Sequence, residues 1–353
     1  MVITPQQRVV TSRKGLKPDK LPVFVAAANS FICQYYGISQ LTYLNEPGEA
    51  AECQKSFIND FSIDGCVIAS GYILYGCGPE IGVKWQFSDT DFPGSVEGPL
   101  KDKAPPESIK VPAEPKGYFK NYLDFIRQVT ADLSSTHYIT ANILGPFATL
   151  CFLRGIENTL MDTMTDPVYF KRCLDHTTNF SIYFGRHVLS TGVPFNTLNE
   201  IFLTPQMIMP KTYQEIILPA IEAVQKALEP NFCPNIMGAF IGKPNDQESI
   251  SAGRSLYNAF FGISESLDSI KTDFHRKTNE QPFPLSISGR MMDDWPLEKI
   301  NAYLKQALDF LVRDNGVYPT INLISLQPPD RLKAVETANK IKGIIRLRDE
   351  YLL

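Results

Sequence analysis

Short runs of β-type residues alternate with amphipathic helical stretches along most of this chain. Strand signals, apolar and in part β-branched or aromatic, fall at 22–27 (PVFVAA), 64–70 (DGCVIAS), 137–144 (HYITANIL) and 194–200. They continue at 231–237 (NFCPNIM), 258–263 (NAFFGI), 282–288 (PFPLSIS) and 318–324 (YPTINLI), most of them bounded by Gly, Pro or Asn. Helical periodicity occupies 46–61, 117–133, 147–161, 166–190, 205–228, 264–275, 296–313 and 330–351. The 166–190 stretch opens on Asp166-Pro167, an N-cap followed by proline at the first helical position. Eight strands with helices between most of them predict an α/β fold, a single (β/α)8 barrel of the TIM type. A doubly wound sheet would carry a glycine-rich turn after its first strand. The nearest match, Gly76-Cys77-Gly78-Pro79-Glu80-Ile81-Gly82, has its third glycine one residue late and a proline inside, and reads as a plain turn.

One interval breaks the alternation. Residues 71–116, after the second strand, hold a hairpin signal around 81–87 and a Pro/Asp/Gly-rich segment (SDTDFPGSVEGPLKDKAPPES). They read as a long insertion that covers the barrel. With no internal repeat, the expectation is one domain over residues 1–353.

Composition narrows the classes. The 353 residues include 34 Lys+Arg against 38 Asp+Glu, a net charge of −4, with 44% hydrophobic and 20% charged residues. That is ample material for a core. A balanced chain without a basic run argues against nucleic-acid binding and against a polybasic membrane anchor. The first 22 residues hold no apolar signal-peptide core. No stretch approaches the roughly 18 uninterrupted apolar residues of a membrane span. A soluble, cytoplasmic protein is expected. Seven cysteines without a CxxC pair argue for reduced, mostly buried thiols and against a disulfide framework or a finger-type zinc site.

A barrel of this kind places its site at the carboxyl ends of the strands. Those positions hold Asn29, Tyr72, Gly145-Pro146, Asn199, Glu200, Glu265, Arg290, and Ser325 with Gln327. Within the fifth strand, alternation puts Asn231, Cys233 and Asn235 on one face; if that face is the interior, the Cys233 thiol points up toward a ligand. Glu200 is a candidate proton donor or metal ligand, or else an acid favoured by a helix N-terminus. Arg290 is a carboxylate or phosphate clamp, or else a rim ion pair. Glu265 and Tyr72 are weaker candidates of the same kind. Asn29 and Asn322 suit a polar ligand or the backbone. Phe31, Tyr35 and Tyr36 read first as helix packing. The four histidines lie away from the expected site and carry no catalytic role.

Several motifs resemble the uroporphyrinogen decarboxylase superfamily. They are Gly145-Pro-Phe-Ala-Thr-Leu-Cys-Phe-Leu-Arg-Gly155 with Asp166-Pro167, Phe92-Pro-Gly-Ser-Val-Glu-Gly-Pro99, Leu203-Thr-Pro205 with Leu218-Pro219, Ser288-Gly-Arg290, and Gln327-Pro-Pro-Asp330. The GPF segment is closest to the methylcobamide:thiol methyltransferase branch. Where the decarboxylases carry substrate-binding arginines this chain has Ala26-Ala-Ala-Asn-Ser-Phe31, and where they carry an aspartate it has Ser70-Gly-Tyr72. Their late Gly-His-Gly is here replaced by Leu323-Ile-Ser-Leu326. A porphyrinogen substrate would therefore lack its cationic clamp.

The branch binds zinc through a His-x-Cys on the fifth strand and a Cys near the end of the eighth. Here these positions read Asn231-Phe232-Cys233 and Ser325, so Cys233 alone keeps its identity as a metal ligand. The resemblance implies a corrinoid-dependent methyltransferase that takes a methylcorrinoid as co-substrate. The chain has no DxHxxG signature, so the corrinoid would be presented by a partner protein. The other substrate would be a small-molecule methyl acceptor or donor, of folate type or a thiol. Glu200, Cys233 and Glu265 are then the catalytic candidates. Asn29, Tyr72, Asn199, Asn231, Arg290 and Ser325 are the substrate-binding candidates. Barrel relatives are often dimeric, and a homodimer is carried as an expectation. Two other readings stand beside this one: a decarboxylase-like enzyme for a small carboxylated substrate, and a non-catalytic barrel that binds a corrinoid or pterin.

Overall fold

Strand alternation sorts the side chains into a set facing the helices and a set facing inward, and that sorting positions everything below. The computed structural model describes residues 3–26, 28–68, 78–88, 93–203, 207–228, 235–240, 259–262, 266–268, 270–271 and 284–352. Its strands are β1 (Val23–Ala26), β2 (Gly65–Ile68), β3 (Lys84–Gln86), β4 (Gly94–Glu97), β5 (Tyr138–Leu144), β6 (Phe195–Glu200), β7 (Asn235–Phe240), β8 (Ala259–Gly262), β9 (Pro284–Ser288) and β10 (Thr320–Ile324). All except β3 and β4 form one parallel sheet in the order β8-β7-β6-β5-β2-β1-β10-β9. The two ends of that order, β8 and β9, approach within 8 Å of one another, so the sheet curls into the expected barrel.

The helices are α1 (Pro5–Arg13), α2 (Asn29–Tyr36), α3 (Gln40–Asn45), α4 (Pro47–Asp60), α5 (Gly117–Leu133), α6 (Pro146–Arg154), α7 (Ile156–Thr165), α8 (Pro167–Leu189), α9 (Leu218–Leu228), α10 (Gly289–Asp294), α11 (Leu297–Leu308) and α12 (Arg331–Tyr351). Among the described residues no helix is long and apolar enough to cross a membrane.

Most elements lie where the pattern put them, and the departures have causes. The single helix expected over 147–161 is two, α6 and α7, because Gly155 turns the chain at φ +87°. The described part of the fifth parallel strand is Asn235–Phe240, and Asn231 and Cys233 lie outside the described residues. The helix expected over 205–228 contains a π segment, Tyr213–Ile217, just before Pro219, whose ring and missing N–H disturb a regular α-helix there. The unexpected α1 starts on a capping box, Thr4 with Gln7.

On the helix-facing side Val23, Val25, Cys66, Ile139, Ala141, Ile143, Leu198, Leu285, Ile287, Ile321 and Leu323 join the main core. Inside the barrel Phe24, Ala26, Val67 and Tyr138 form a separate apolar cluster with Val9 of α1, flanked by Phe195. Tyr138 stacks on Phe195 with ring centroids 4.0 Å apart, and Phe24 meets Tyr138 edge-on at 6.2 Å. Helix α1 closes this end, with Arg13 donating to the Tyr138 hydroxyl at 2.7 Å. The barrel therefore has an aromatic floor at the amino ends of its strands.

Part of the insertion is a strap on the outer helices. β3 pairs with β4 antiparallel, close to the expected hairpin. Trp85 stacks on Phe152, Leu100 N–H donates to the Leu153 carbonyl at 2.8 Å, and Arg154 reaches back to the Leu100 and Lys101 carbonyls. Lys103 pairs with Asp166 and Glu107 with Arg172, both at 2.9 Å.

Both ends of the chain are tied beneath the barrel by one carboxylate. Asp64, 1% exposed, accepts from Arg8 of α1, from Arg348 of α12 at 3.0 Å and from the Val23 N–H at 2.8 Å. Two guanidiniums would be left around an uncharged group in Asp64→Asn. We expect that variant to lose about 3 kcal/mol of unfolding free energy in urea. A change under about 0.5 kcal/mol, the scale of an exposed pair, would show that the network does not tie the fold.

Candidate functional site

The carboxyl ends of β5 and β6 show why the GPF segment has its sequence. A helix start leaves N–H groups without intrahelical partners, and α6 begins directly after β5 with Gly145-Pro146-Phe147-Ala148. The missing acceptors come from the neighbouring strand. Glu200, 0% exposed, accepts from the Phe147 N–H at 3.1 Å through Oε1 and from the Ala148 N–H at 2.6 Å through Oε2. Pro146 occupies the position where no N–H is needed. A Cβ on Gly145 would lie 2.3 Å from the Glu200 carboxyl carbon, so residue 145 must be glycine for the carboxylate to approach. The Gly145 N–H closes the contact by donating to the Asn199 carbonyl at 2.9 Å. Glu200 thus serves a helix start, but that of the preceding βα unit. Burial pushes its carboxyl up to about 8, and the Ala148 and Phe147 N–H groups pull the other way.

Because Glu200 faces the helices, Asn199 faces the barrel interior. It is 0% exposed, and neither Nδ2 nor Oδ1 has a hydrogen-bond partner among the described residues. Thr140, Asn142 and Thr197 point inward beside it on β5 and β6, and Ser286 and Asn322 do so on β9 and β10. All are buried. The sequence reading placed Asn199 and Asn322 here and missed Thr140, Asn142, Thr197 and Ser286. Their signal was present as polar residues at alternate positions of otherwise apolar strands.

The other candidates are dispersed. Asn29 opens α2 and is buried. Arg290 lies exposed on α10, after Ser288, whose hydroxyl caps that helix by accepting from the Met291 N–H at 3.2 Å. Ser325 is exposed with φ +58°, and its carbonyl passes so close to Gly289 that a Cβ there would lie 2.1 Å away. Ser288-Gly-Arg290 is thus a close-approach motif like Gly145. Tyr72, Asn231, Cys233 and Glu265 lie outside the described residues. Among the described residues no three His, Cys, Asp or Glu side chains cluster as metal ligands. Ser325 offers a neutral hydroxyl where the zinc-binding branch has a thiolate. Of the three zinc positions only Ser325 is among the described residues, and its hydroxyl is not the thiolate that such a site uses. Of the described cysteines, Cys33, Cys66, Cys151 and Cys173 are buried, and burial pushes Cys33 up to about 12.

Two variants test the Glu200 contact. Gly145→Ala should destabilise the protein by about 2 kcal/mol or more in urea unfolding, through forced displacement of a buried carboxylate. A carboxyl whose folded pKa is raised binds its proton more tightly in the native state. Its contribution to stability is therefore full below the ordinary 4.5 and declines as pH rises toward about 8. The wild type should lose stability relative to Glu200→Gln between those values. Parallel pH profiles for the two proteins would contradict this.

The fold agrees with what comparison with known proteins shows. Over 159 residues the chain is 26% identical to the methylated-thiol–coenzyme M methyltransferase of Methanosarcina mazei, a match covering 44% of this chain and 42% of that protein. A solved structure of a methyltransferase from Methanosarcina mazei superposes with a TM-score of 0.79 at 15% identity, covering all of both chains. A B12-independent methionine synthase from Shewanella sp. W3-18-1 shares the fold more distantly, with a TM-score of 0.51 at 10% identity over 95% of this chain and all of that one. The uroporphyrinogen decarboxylase (URO-D) family matches residues 4–243, and the chain belongs to that family.

Proposed function

We propose that this protein transfers a methyl group from a methylcorrinoid to a small acceptor, a folate-type nitrogen or a thiol. The observation that carries this reading is the neutrality of the described part of the barrel interior. The described inward-facing strand positions hold amides and hydroxyls but no Lys or Arg. A porphyrinogen bearing many carboxylates needs cations at close range, and a decarboxylase-like use of Arg290 would set its anchor on an exposed helix outside this ring. The likeness to a methylated-thiol–coenzyme M methyltransferase supports methyl transfer as the class of reaction.

In the proposed reaction the acceptor's lone pair takes the methyl carbon. The electron pair of the cobalt–carbon bond stays on the corrinoid, and the acceptor gives up its proton to solvent. The chain's part is to hold the acceptor in the inner ring, with Asn199 and Asn142 fixing its orientation. Glu200 keeps β6 and α6 in register behind them. A partner protein would present the corrinoid at the barrel mouth, and two copies of the chain would form a homodimer. No step is assigned to zinc, since Asn231 and Ser325 stand where the branch has its histidine and second cysteine.

The test is anaerobic incubation with methylcob(III)alamin and either a thiol or tetrahydrofolate, followed by corrinoid absorption. One acceptor should convert the methylcorrinoid to the cob(I) form. Asn199→Ala should lower the rate by about tenfold or more. If neither acceptor has any effect while small carboxylates raise the melting temperature, the decarboxylase-like reading takes its place.

A further inference from the structure

Beneath the barrel, at the amino ends of its strands, a cavity of about 360 Å³ lies between the two ends of the chain. Pro5 and Arg8 of α1 line one side, and Arg348 and Asp349 of α12 line another. Lys20, His137 and the loop from α4 to β2 complete the wall, and every lining residue is among those described. The volume falls within the roughly 300–1,000 Å³ usual for small-molecule sites. Asn199 and the start of α6 belong to the opposite end of the barrel, so this is a separate place.

The cations around the cavity are held in place but not used up. Asp64 is engaged on both oxygens, Oδ1 by Arg8 and Oδ2 by Arg348 and the Val23 N–H. Asp19, which does not line the cavity, accepts from Arg8 Nε at 2.7 Å and from Nη2 at 2.8 Å. Asp349 Oδ1 takes Arg348 Nε at 2.9 Å, Arg348 Nη2 at 2.8 Å and Lys20 Nζ at 3.1 Å. The Ser62 carbonyl accepts from Arg348 Nη1 at 3.3 Å. With Asp19 counted, the charges balance; the surplus is in donors. A guanidinium carries five N–H groups and an ammonium three. Two N–H groups on Arg8, one on Arg348 and two on Lys20 therefore have no acceptor among the described residues, and all three side chains belong to residues that line the cavity. The Arg8 and Arg348 side chains are only 12% and 4% exposed, so their carboxylate partners fix them. Donors fixed before a ligand arrives remove much of the ordering cost of binding it.

The arrangement of that surplus defines the ligand. A carboxylate offers two oxygens in one plane and matches the fork of a single guanidinium. Donors that come from α1, from the segment after it and from α12 call for oxygens on several sides of one atom. A phosphoryl group supplies three such oxygens and nearly two negative charges. The wall continues past the cations in the carbon of Pro5, Ile58 and Ile63 and the polar side chains of Asn59 and Ser62. We propose that this cavity is a second binding site, for a small phosphate monoester. Its phosphoryl group sits among Arg8, Lys20 and Arg348, and its short hydroxylated tail lies along Asn59 and Ser62. Such a ligand clasps the first and last helices together. Nothing in this inference depends on the methyl-transfer reading above.

The experiment is isothermal titration of the full chain at pH 8 and constant ionic strength, with glycerol 3-phosphate, inorganic phosphate and malonate in separate arms. Burial lowers the pKa of His137, so at that pH its ring adds no charge to the wall. Glycerol 3-phosphate should bind more tightly than inorganic phosphate, and both more tightly than the dicarboxylate. It should also raise the melting temperature. Two variants place the site. Lys20→Met removes a partly exposed cation, and Asn59→Asp sets a carboxylate at an exposed position of the wall. Each should weaken glycerol 3-phosphate binding about tenfold or more, the scale of one charge-assisted hydrogen bond. Without ligand each should melt within about 3 °C of wild type, because exposed charges contribute little to stability. If Lys20→Met unfolds early, Asn59→Asp alone decides. The inference is overturned if glycerol 3-phosphate does not bind, or if malonate binds as tightly, which would mean attraction to charge alone. Equal affinity for inorganic phosphate would overturn the monoester and leave a site for the free anion. Unchanged binding in a variant that folds would put the anion elsewhere and overturn the site itself.

Discussion

The buried carboxylate of Glu200 on the first N–H groups of α6 is the contact around which the upper barrel is arranged. It satisfies a helix start with a group from the next strand, so consecutive βα units are joined where the site lies. It also dictates sequence at three places. Position 145 must lack a Cβ, position 146 can be proline, and position 199 is turned into the barrel by the pleat. An acid that looks catalytic by its place at a strand end is engaged by the chain itself, and its neighbour Asn199 is the residue turned into the barrel interior.

The same economy of charge runs through the molecule. Asp64 with Arg8 and Arg348 is buried at the amino ends of the strands, where it joins α1, β1 and α12. Arg154 with Asp162 is buried on the flank, where Arg154 also holds the insertion through carbonyls. Charged side chains thus sit at joints between elements. The described interior between the aromatic floor and the mouth holds only neutral ones. A neutral interior exerts its selectivity through hydrogen-bond geometry, because an unpaired charge from the ligand would have nothing there to meet.

Much of the fold was legible from alternation alone, because a parallel strand buried on both faces is a short apolar run with turn residues at its ends. The limits came from backbone terms that hydrophobic periodicity does not carry. Gly155 splits one helix by adopting positive φ, and Pro219 is preceded by a π segment. The site was legible in part. Asn199 and Glu200 were found from their place at a strand end, yet which of them faces inward depends on the phase of the pleat, and that is set by the contact with α6. Thr140, Asn142 and Ser286 were overlooked because polar residues inside strands read as interruptions of the core pattern, while in a barrel they are the inner wall. Of the positions carried by resemblance alone, Ser325 holds a hydroxyl where the branch has a thiolate, so a shared fold need not bring a shared ligand set.

Membership in the URO-D family, a floor of aromatic rings and a described inner wall of amides and hydroxyls frame the proposed methyl transfer. The most direct measurement is mass spectrometry of the acceptor after a single anaerobic turnover with CD3-labelled methylcorrinoid. The expected result is an acceptor carrying the intact CD3 group, in an amount matching the corrinoid demethylated. An unlabelled acceptor, with the CD3 group still on cobalt after the reaction is offered both a reduced pterin and a thiol, would contradict methyl transfer as the work of this protein.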